Sequence, residues 1–392
     1  MLNNHSLLNK IVCTECGSEY NITDLHNLCT SCGKVLFPQY DLEKAKEFLS
    51  KDQIQQKKVY NIWRLNEIMP VNNSKYRISL GEGWTPIIKI NNYGKSIGLN
   101  NLYIKDEGQN PTGTFKSRGL CAAVSKGLEL GVKDFVMPSA GNAGAALSAY
   151  TAHAGVNAHI FAPKDAPEFI LKEIEVMGGD LVLVDGLIDY AGEKAKIAQQ
   201  ENGWFSVSTL KEPYRVEGKK TMGLELAEQF DWTLPDVIIY PTGGGTGIVG
   251  MWKVFSELEK LGLIGSERPR MVSVQPTGCQ PIVRAFKEGK KYATKWEDAH
   301  SFAGGIRVPS AIGDYLILEA LKQSNGTAIA VPDSDIKIAM YDLARIEGIM
   351  LCPEAAATVD AAKKLVERGF LDSDENVVLF GTGSGLITPN DW

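Results

Sequence analysis

Four thiols and one lysine stand in this chain where their spacing can do chemistry. Cys13-x2-Cys16 is followed, after twelve residues, by Cys29-x2-Cys32. Two such knuckles place four thiolates around a tetrahedral zinc ion. The gap is shorter than the ~15–20 residues common between such pairs, but a small ribbon closes across it. Gly17 and Gly33 follow the second Cys of each pair, where the chain must turn. Four thiolates leave no open coordination position, so a structural metal is expected rather than a catalytic one. The segment is too small to build its own core, so the metal would supply its folding energy. Cys121, Cys279 and Cys352 stand alone and read as small buried hydrophobes.

The lysine is Lys116, in Asn110-Pro-Thr-Gly-Thr-Phe-Lys-Ser-Arg-Gly119. A lone lysine is ordinarily a solvated charge. This one follows Phe115 and a loop-forming Asn-Pro-Thr-Gly, with Arg118 two residues on. Partial burial and a neighbouring cation both lower a lysine's pKa and make it a nucleophile. Three loops of small residues accompany it: Ser139-Ala-Gly-Asn-Ala143, Thr242-Gly-Gly-Gly-Thr-Gly247 and Gly381-Thr-Gly-Ser-Gly385. A glycine run at a helix start lets N–H groups converge on an anion. Gly243 to Gly247 is no P-loop, because no Lys-Ser/Thr follows. No acidic residue follows at the dinucleotide spacing either, so the run suits a phosphate without a nucleotide. On its own it equally suits a tight turn. Ser139 on its own reads as an N-cap, and beside Asn142 it also suits a small carboxylate. A nucleophilic lysine with a phosphate cup and a carboxylate cup points to a Schiff base with pyridoxal phosphate.

These loops need a scaffold. Apolar β-branched runs at 134–138, 158–162, 181–184, 237–240, 271–274 and 377–380 read as strands. Helical stretches at 143–154, 168–177 and 222–230 lie between them. Such alternation predicts a mostly parallel sheet covered by helices, with ligand loops at the carboxyl ends of strands. The charged segment 41–66 reads as a linker helix. A chain of 392 residues exceeds one core, so at least two domains are expected. Gly makes up 39 residues, against a usual ~7% of a chain, which fits many turns and ligand loops.

The net charge is −6, and 44% of residues are hydrophobic. That balance excludes wholesale disorder and a dominant nucleic-acid or anionic-membrane surface. Within residues 1–40 the only Lys or Arg are Lys10 and Lys34, so the ribbon is a poor nucleic-acid binder. No signal-peptide core and no run of ~18 apolar residues is found, so a cytoplasmic protein is expected.

The combination resembles the fold-type-II pyridoxal-phosphate enzymes, which include threonine synthases, threonine dehydratases and cysteine synthases. It is most similar to the threonine synthases. The likeness runs through Gly81-Glu-Gly-Trp-Thr-Pro86, Asn110 to Gly119, Ser139 to Ala143, Pro213-Tyr-Arg-Val-Glu-Gly-Lys-Lys-Thr221, Gly243 to Gly247 and Thr382-Gly-Ser-Gly-Leu386. An N-terminal zinc ribbon also occurs on some threonine synthase-like chains. The resemblance implies an α/β fold of two open, mostly parallel three-layer domains, tryptophan synthase β-like, after the ribbon. The expected division is a ribbon at 1–40, a linker helix and the start of a large cofactor domain at 41–117, a smaller carboxylate domain at 118–235, and the rest of the large domain at 236–392.

The resemblance also implies roles. Lys116 would hold the cofactor and shuttle protons. Gly243, Gly244, Gly245, Thr246 and Gly247 would cup its phosphate. Asn142 would contact the ring hydroxyl, and Thr382 the pyridine nitrogen. Ser139, Gly141 and Ala143 would hold the substrate carboxylate. Arg215, Lys219 and Lys220 are the cations available to a substrate phosphate. The reaction implied is a carbon–oxygen lyase step, O-phosphohomoserine and water to threonine and phosphate, in a homodimer. The alternative is a threonine/serine dehydratase or a β-replacement enzyme. The family pattern differs at Ser117, at Ala143 and Gly144, at Gly304-Gly-Ile-Arg-Val-Pro309 and at Ile387. These departures bear on the substrate, not on the cofactor.

Overall fold

The computed structural model describes residues 5–186 and 188–392. The chain divides into two compact units. The first holds residues up to Trp84, Lys116–Thr221 and Lys260–Leu263. The second holds Thr85–Phe115, Met222–Glu259 and Ile264–Trp392. Residues 41–84, expected with the large cofactor domain, thus group with the first unit.

In the second unit six strands run in the order Thr327–Val331, Arg270–Pro276, Val237–Pro241, Asn376–Gly381, Asn101–Asp106, Ile87–Lys89. All pairs are parallel except the last, which is antiparallel. The central strand Val237–Pro241 is buried at every position, as a parallel strand covered on both faces must be. The helix Pro353–Glu367 packs across this sheet. Its alanine-rich face joins Val237, Ile239, Val272 and Leu379 in one core. Three of these strands, Ile87–Lys89, Thr327–Val331 and Asn101–Asp106, escape a reading of the sequence. Thr327–Val331 is short and alternates small residues. Asn101–Asp106 carries Lys105 in a buried position. The ammonium is accommodated there by Glu225 Oε2 at 2.8 Å, Gln229 Oε1 at 2.8 Å and the Thr85 carbonyl at 2.7 Å. A buried charge tolerates such a place only when it is paired.

The first unit contains a four-stranded parallel sheet, ordered Asp180–Val184, Asn157–Pro163, Asp134–Pro138, Phe205–Ser206. It also contains an antiparallel ribbon, Glu19–Tyr20, Leu8–Cys13 and Leu36–Tyr40, which carries the cysteines. The open α/β layers and the ribbon are therefore those expected. The linker helix is not continuous. Asp41 caps Leu42–Ala45, and a Ser50–Gln53 capping box starts Lys51–Gln55. Two N-caps within ten residues cut the segment. Beyond them Arg64 donates to the carbonyls of Ile54, Lys57 and Val59, and Lys57 pairs with buried Glu67 at 2.7 Å. Those side chains coil the backbone onto itself instead of extending it. The 3-10 turn Ile62–Ile68 closes the segment.

Candidate active site

The three small-residue loops leave the carboxyl ends of Asp134–Pro138, Val237–Pro241 and Asn376–Gly381, as expected for ligand loops. Two belong to the second unit. The run from Thr242 enters the helix Thr246–Lys260, whose first N–H groups have no partner within the helix. Gly245 has φ +81°, a conformation open to glycine at little cost. A Cβ there would also lie 2.2 Å from Ile317 Cδ1. At Gly243 it would meet the Gly305 carbonyl at 2.5 Å, and at Gly247 the Tyr240 hydroxyl at 1.9 Å. The loop is thus pressed against its neighbours on three sides, and its glycines are required for packing.

The loop after Asn376–Gly381 is stitched to the residues just before Lys116. Phe115 N donates to the Thr382 carbonyl at 3.0 Å and Ser384 N to the Gly113 carbonyl at 2.9 Å. Thr114 and Gly383 form a bridge. Thr382 itself is buried. The Phe115 ring stands edge-on to Tyr240, at 6.2 Å, and Tyr240 packs on Phe380 at 5.2 Å. Since the Tyr240 hydroxyl faces Gly247, these three rings link the approach to Lys116, the glycine run and the Thr382 loop. The sequence singles out none of the three rings. An aromatic in a buried strand looks like core, and here it is core that also sets loop positions.

In the first unit Lys116 opens the helix Lys116–Glu129 and is half-buried. Ser139 Oγ donates to the Gly141 carbonyl at 2.9 Å and accepts from Gly144 N at 2.9 Å and Gly141 N at 3.2 Å. The N-cap is Gly141, not Ser139 as expected: Ser139 lies two residues earlier and shapes the start of Asn142–Ala154 by holding Gly141 and Gly144. Open space lies where a Gly141 Cβ would point. Asn142 Oδ1 is buried and has no hydrogen-bond partner.

Arg215, Lys219 and Lys220 are all fully buried, not a solvated turn. The helix Arg215–Gln229 crosses Lys116–Glu129 closely. A Cβ on Gly218 would fall 2.0 Å from the Arg118 carbonyl, and one on Gly119 would fall 3.1 Å from Lys219 Cε. Arg118 Nη1 donates to Thr221 Oγ1 at 2.9 Å. Lys220 lies 2.7 Å from Glu217 Oε2 and 4.1 Å from the centre of the Tyr40 ring, so its charge is already met. Arg215 differs. Nη1 donates to the Val207 carbonyl at 2.7 Å, while Nε and Nη2 are buried without a partner. Burial lowers its pKa to about 10, partly opposed by Glu212, so it stays cationic at neutral pH. Glu212 spends its carboxylate on the backbone N–H groups of Tyr214 and Arg215, and burial raises it to about 7. Two unsatisfied guanidinium donors in a dry place are costly unless an anion visits them.

The sulfurs of Cys13, Cys16, Cys29 and Cys32 all lie within 4.8 Å of one another. Three contacts measure 3.4–3.5 Å. A tetrahedron with Zn–S bonds of about 2.3 Å has edges of about 3.8 Å, so the cluster is shaped to hold such an ion. Gly17 N and Gly33 N close the two knuckle turns onto the Cys13 and Cys29 carbonyls. Cys121, Cys279 and Cys352 are buried, as expected of isolated cysteines.

Residues 78–383 match the family described as pyridoxal-phosphate dependent enzyme. The chain belongs to that family. It is 35% identical over 379 residues to a threonine synthase of Methanocaldococcus jannaschii, covering 96% of this chain and 93% of that one. A Methanosarcina acetivorans threonine synthase is likewise 35% identical over 378 residues, covering 96% and 92%. A maize serine racemase structure superposes with a TM-score of 0.66 at 23% identity, over 76% of this chain and 89% of that one. The last likeness concerns the fold alone.

The residues present fit the family's cofactor. Asn142 Oδ1 is buried without a partner, and because amide O and N are interchangeable in shape, that position can instead offer an NH2 to a ring oxygen. The start of the helix Thr246–Lys260, reached through the glycine run, suits a phosphate. Among the described residues no helix is long and apolar enough to cross a membrane.

Proposed function

We propose that this pyridoxal-phosphate-dependent lyase has threonine synthase activity, converting O-phosphohomoserine and water to threonine and phosphate. The likeness to chains of that name over nearly the whole length supports the reaction. Arg215 carries the phosphorylated substrate: its Nε and Nη2 are buried donors with no protein partner. A planar fork of this kind suits phosphate.

Lys116 would hold the cofactor through Nζ, residues 243–247 would receive its phosphate, and Asn142 and Thr382 would meet the ring oxygen and ring nitrogen. When bound, pyridoxal phosphate supplies an electron sink for charge developing at Cα. Gly141 and Ala143 would hold the substrate carboxylate on the N–H groups that Ser139 shapes. Arg215, with Lys219 beside it, would hold the phosphate. With the substrate amine in its place, Lys116 Nζ would be free to act as base and then as acid. It would remove the Cα proton, then a Cβ proton, as phosphate leaves Cγ. Water adds at Cβ, and Lys116 would return the protons that complete threonine. Arg215 would stabilise the leaving phosphate. Lys220 is left to Glu217.

The four cysteines would hold structural zinc, and the assembly would be a cytoplasmic homodimer, as the resemblance implies. The test is phosphate release from O-phosphohomoserine by the purified holoenzyme, with amino-acid analysis. Equimolar phosphate and threonine, both lost in Lys116→Ala, are expected. A holoenzyme with its cofactor absorbance intact that releases no phosphate would sink the assignment.

A further inference from the structure

The cysteine hairpin does not stand apart from the first unit. Its Ile11, Cys13, Cys29 and Leu36 share one hydrophobic core with Val207 and Tyr214. Two polar anchors then reach from it to either side of Arg215. Asn27, two residues before Cys29, donates through Nδ2 to the Ser206 carbonyl at 2.9 Å and the Lys211 carbonyl at 3.0 Å. Its Oδ1 accepts from Gln199 Nε2 at 2.9 Å. Asn27 thereby clasps both ends of segment 206–211, and the residue next to its first end, Val207, supplies the carbonyl that Arg215 Nη1 bonds. Tyr40, on the hairpin's last strand, donates to Glu217 Oε2 at 2.6 Å, and its ring covers Lys220. That contact fixes the first turn of the helix on which Arg215 sits. The guanidinium is therefore held through its carbonyl partner from one side and through its own helix from the other.

We propose that the cysteine hairpin is a positioning element for Arg215, acting through Asn27 and Tyr40. It sets the affinity for the substrate's phosphate without touching it. This rests on the reading of Arg215 as the residue that receives that phosphate. A hairpin kept only for stability needs no amide aimed at the loop under Val207, and no buried hydroxyl committed to the Arg215 helix. A metal held by the four cysteines would add rigidity, because only one residue separates Asn27 from the Cys29 knuckle.

The experiment uses the holoenzyme, with inorganic phosphate and threonine as probes. Asn27→Ala and Tyr40→Phe are expected to raise the KM for O-phosphohomoserine about tenfold, the scale of one weakened charge-assisted contact. The dissociation constant of inorganic phosphate, measured by titration calorimetry, should rise in parallel. The affinity for threonine, which lacks the phosphate, and the cofactor spectrum should stay unchanged. Tyr40→Phe keeps the ring over Lys220, so it tests the hydroxyl in a variant that still folds. In an Arg215→Gln background neither substitution should weaken phosphate further, since the group they position is gone. Equal losses for threonine and phosphate, or full additivity with Arg215→Gln, would overturn the proposal. If Arg215→Gln alone leaves phosphate affinity unchanged, the assignment of Arg215 fails first, and this inference with it.

Discussion

The glycine run at 243–247 and the helix start at 213–220 offer an anion opposite kinds of surface. The glycine run offers backbone. Ile317, Tyr240 and Gly305 press on the places where its side chains would stand. It carries no formal charge and needs none, because a helix start supplies partial positive charge. The helix start at 213–220 offers a side chain. Arg215 is a full charge, buried beside Glu212, with Lys220 already satisfied by Glu217. The first kind of site suits a cofactor phosphate that arrives once and stays. The second suits a phosphate that must be bound, stabilised as it leaves, and released each turnover. A neutral cup cannot follow a change of charge as closely as a guanidinium can.

The comparison breaks most easily at the metal. The zinc proposed for the four cysteines would supply the hairpin's folding energy, so replacing Cys16 and Cys32 by Ser, or stripping the ion with a chelator, should remove it. Structural zinc in small domains is worth on the order of 10 kcal/mol, so the thermal midpoint should fall by about 10 °C or more. Below that midpoint the cofactor absorbance should survive while the KM for the phosphorylated substrate rises. Loss of the cofactor first would mean that the hairpin serves the wrong phosphate.

A smaller effect is expected at Gly247→Ala. Its Cβ would stand 1.9 Å from the Tyr240 hydroxyl. Overpacking of this kind costs about 1–3 kcal/mol, and here the displaced atoms are those proposed to cup the cofactor phosphate. Equilibrium dialysis should show cofactor affinity lowered about tenfold to a hundredfold, with the inorganic-phosphate site around Arg215 intact.

A further prediction concerns pH. Burial raises Glu212 from 4.5 to about 7, so the folded protein binds a proton that the unfolded chain releases. Its contribution to stability is complete below pH 4.5 and is lost as pH rises towards about 7. The span amounts to about 3 kcal/mol at most. Urea unfolding across this range should show a falling slope that Glu212→Gln flattens. An unchanged slope would remove Glu212 from the account.

The glycine run is legible in the sequence because each part of it is local. Successive glycines after a strand can do few things, and Val237–Pro241 is unbroken apolar sequence. The cysteine pairs are legible for the same reason. The guanidinium site is only half legible. Arg215, Lys219 and Lys220 are close in sequence, but which of them is neutralised depends on Tyr40 and Glu217. Tyr40 is 177 residues from the Glu217 it binds. No spacing announces such a partner. Asn27 is further still from the two carbonyls it clasps, at 179 and 184 residues. The strand Asn101–Asp106 is hidden by Lys105, whose partner Glu225 is 120 residues on. In each case a buried polar group misleads the pattern because its compensation lies on a distant element.

The division of labour between the two phosphates is tested most directly by Arg215→Gln, followed by cofactor spectrum and steady-state kinetics on O-phosphohomoserine. The account predicts an intact cofactor band with a KM raised about a hundredfold, the scale of losing a charged donor pair, on the order of 3 kcal/mol. An unchanged KM, or disappearance of the cofactor band, would contradict it.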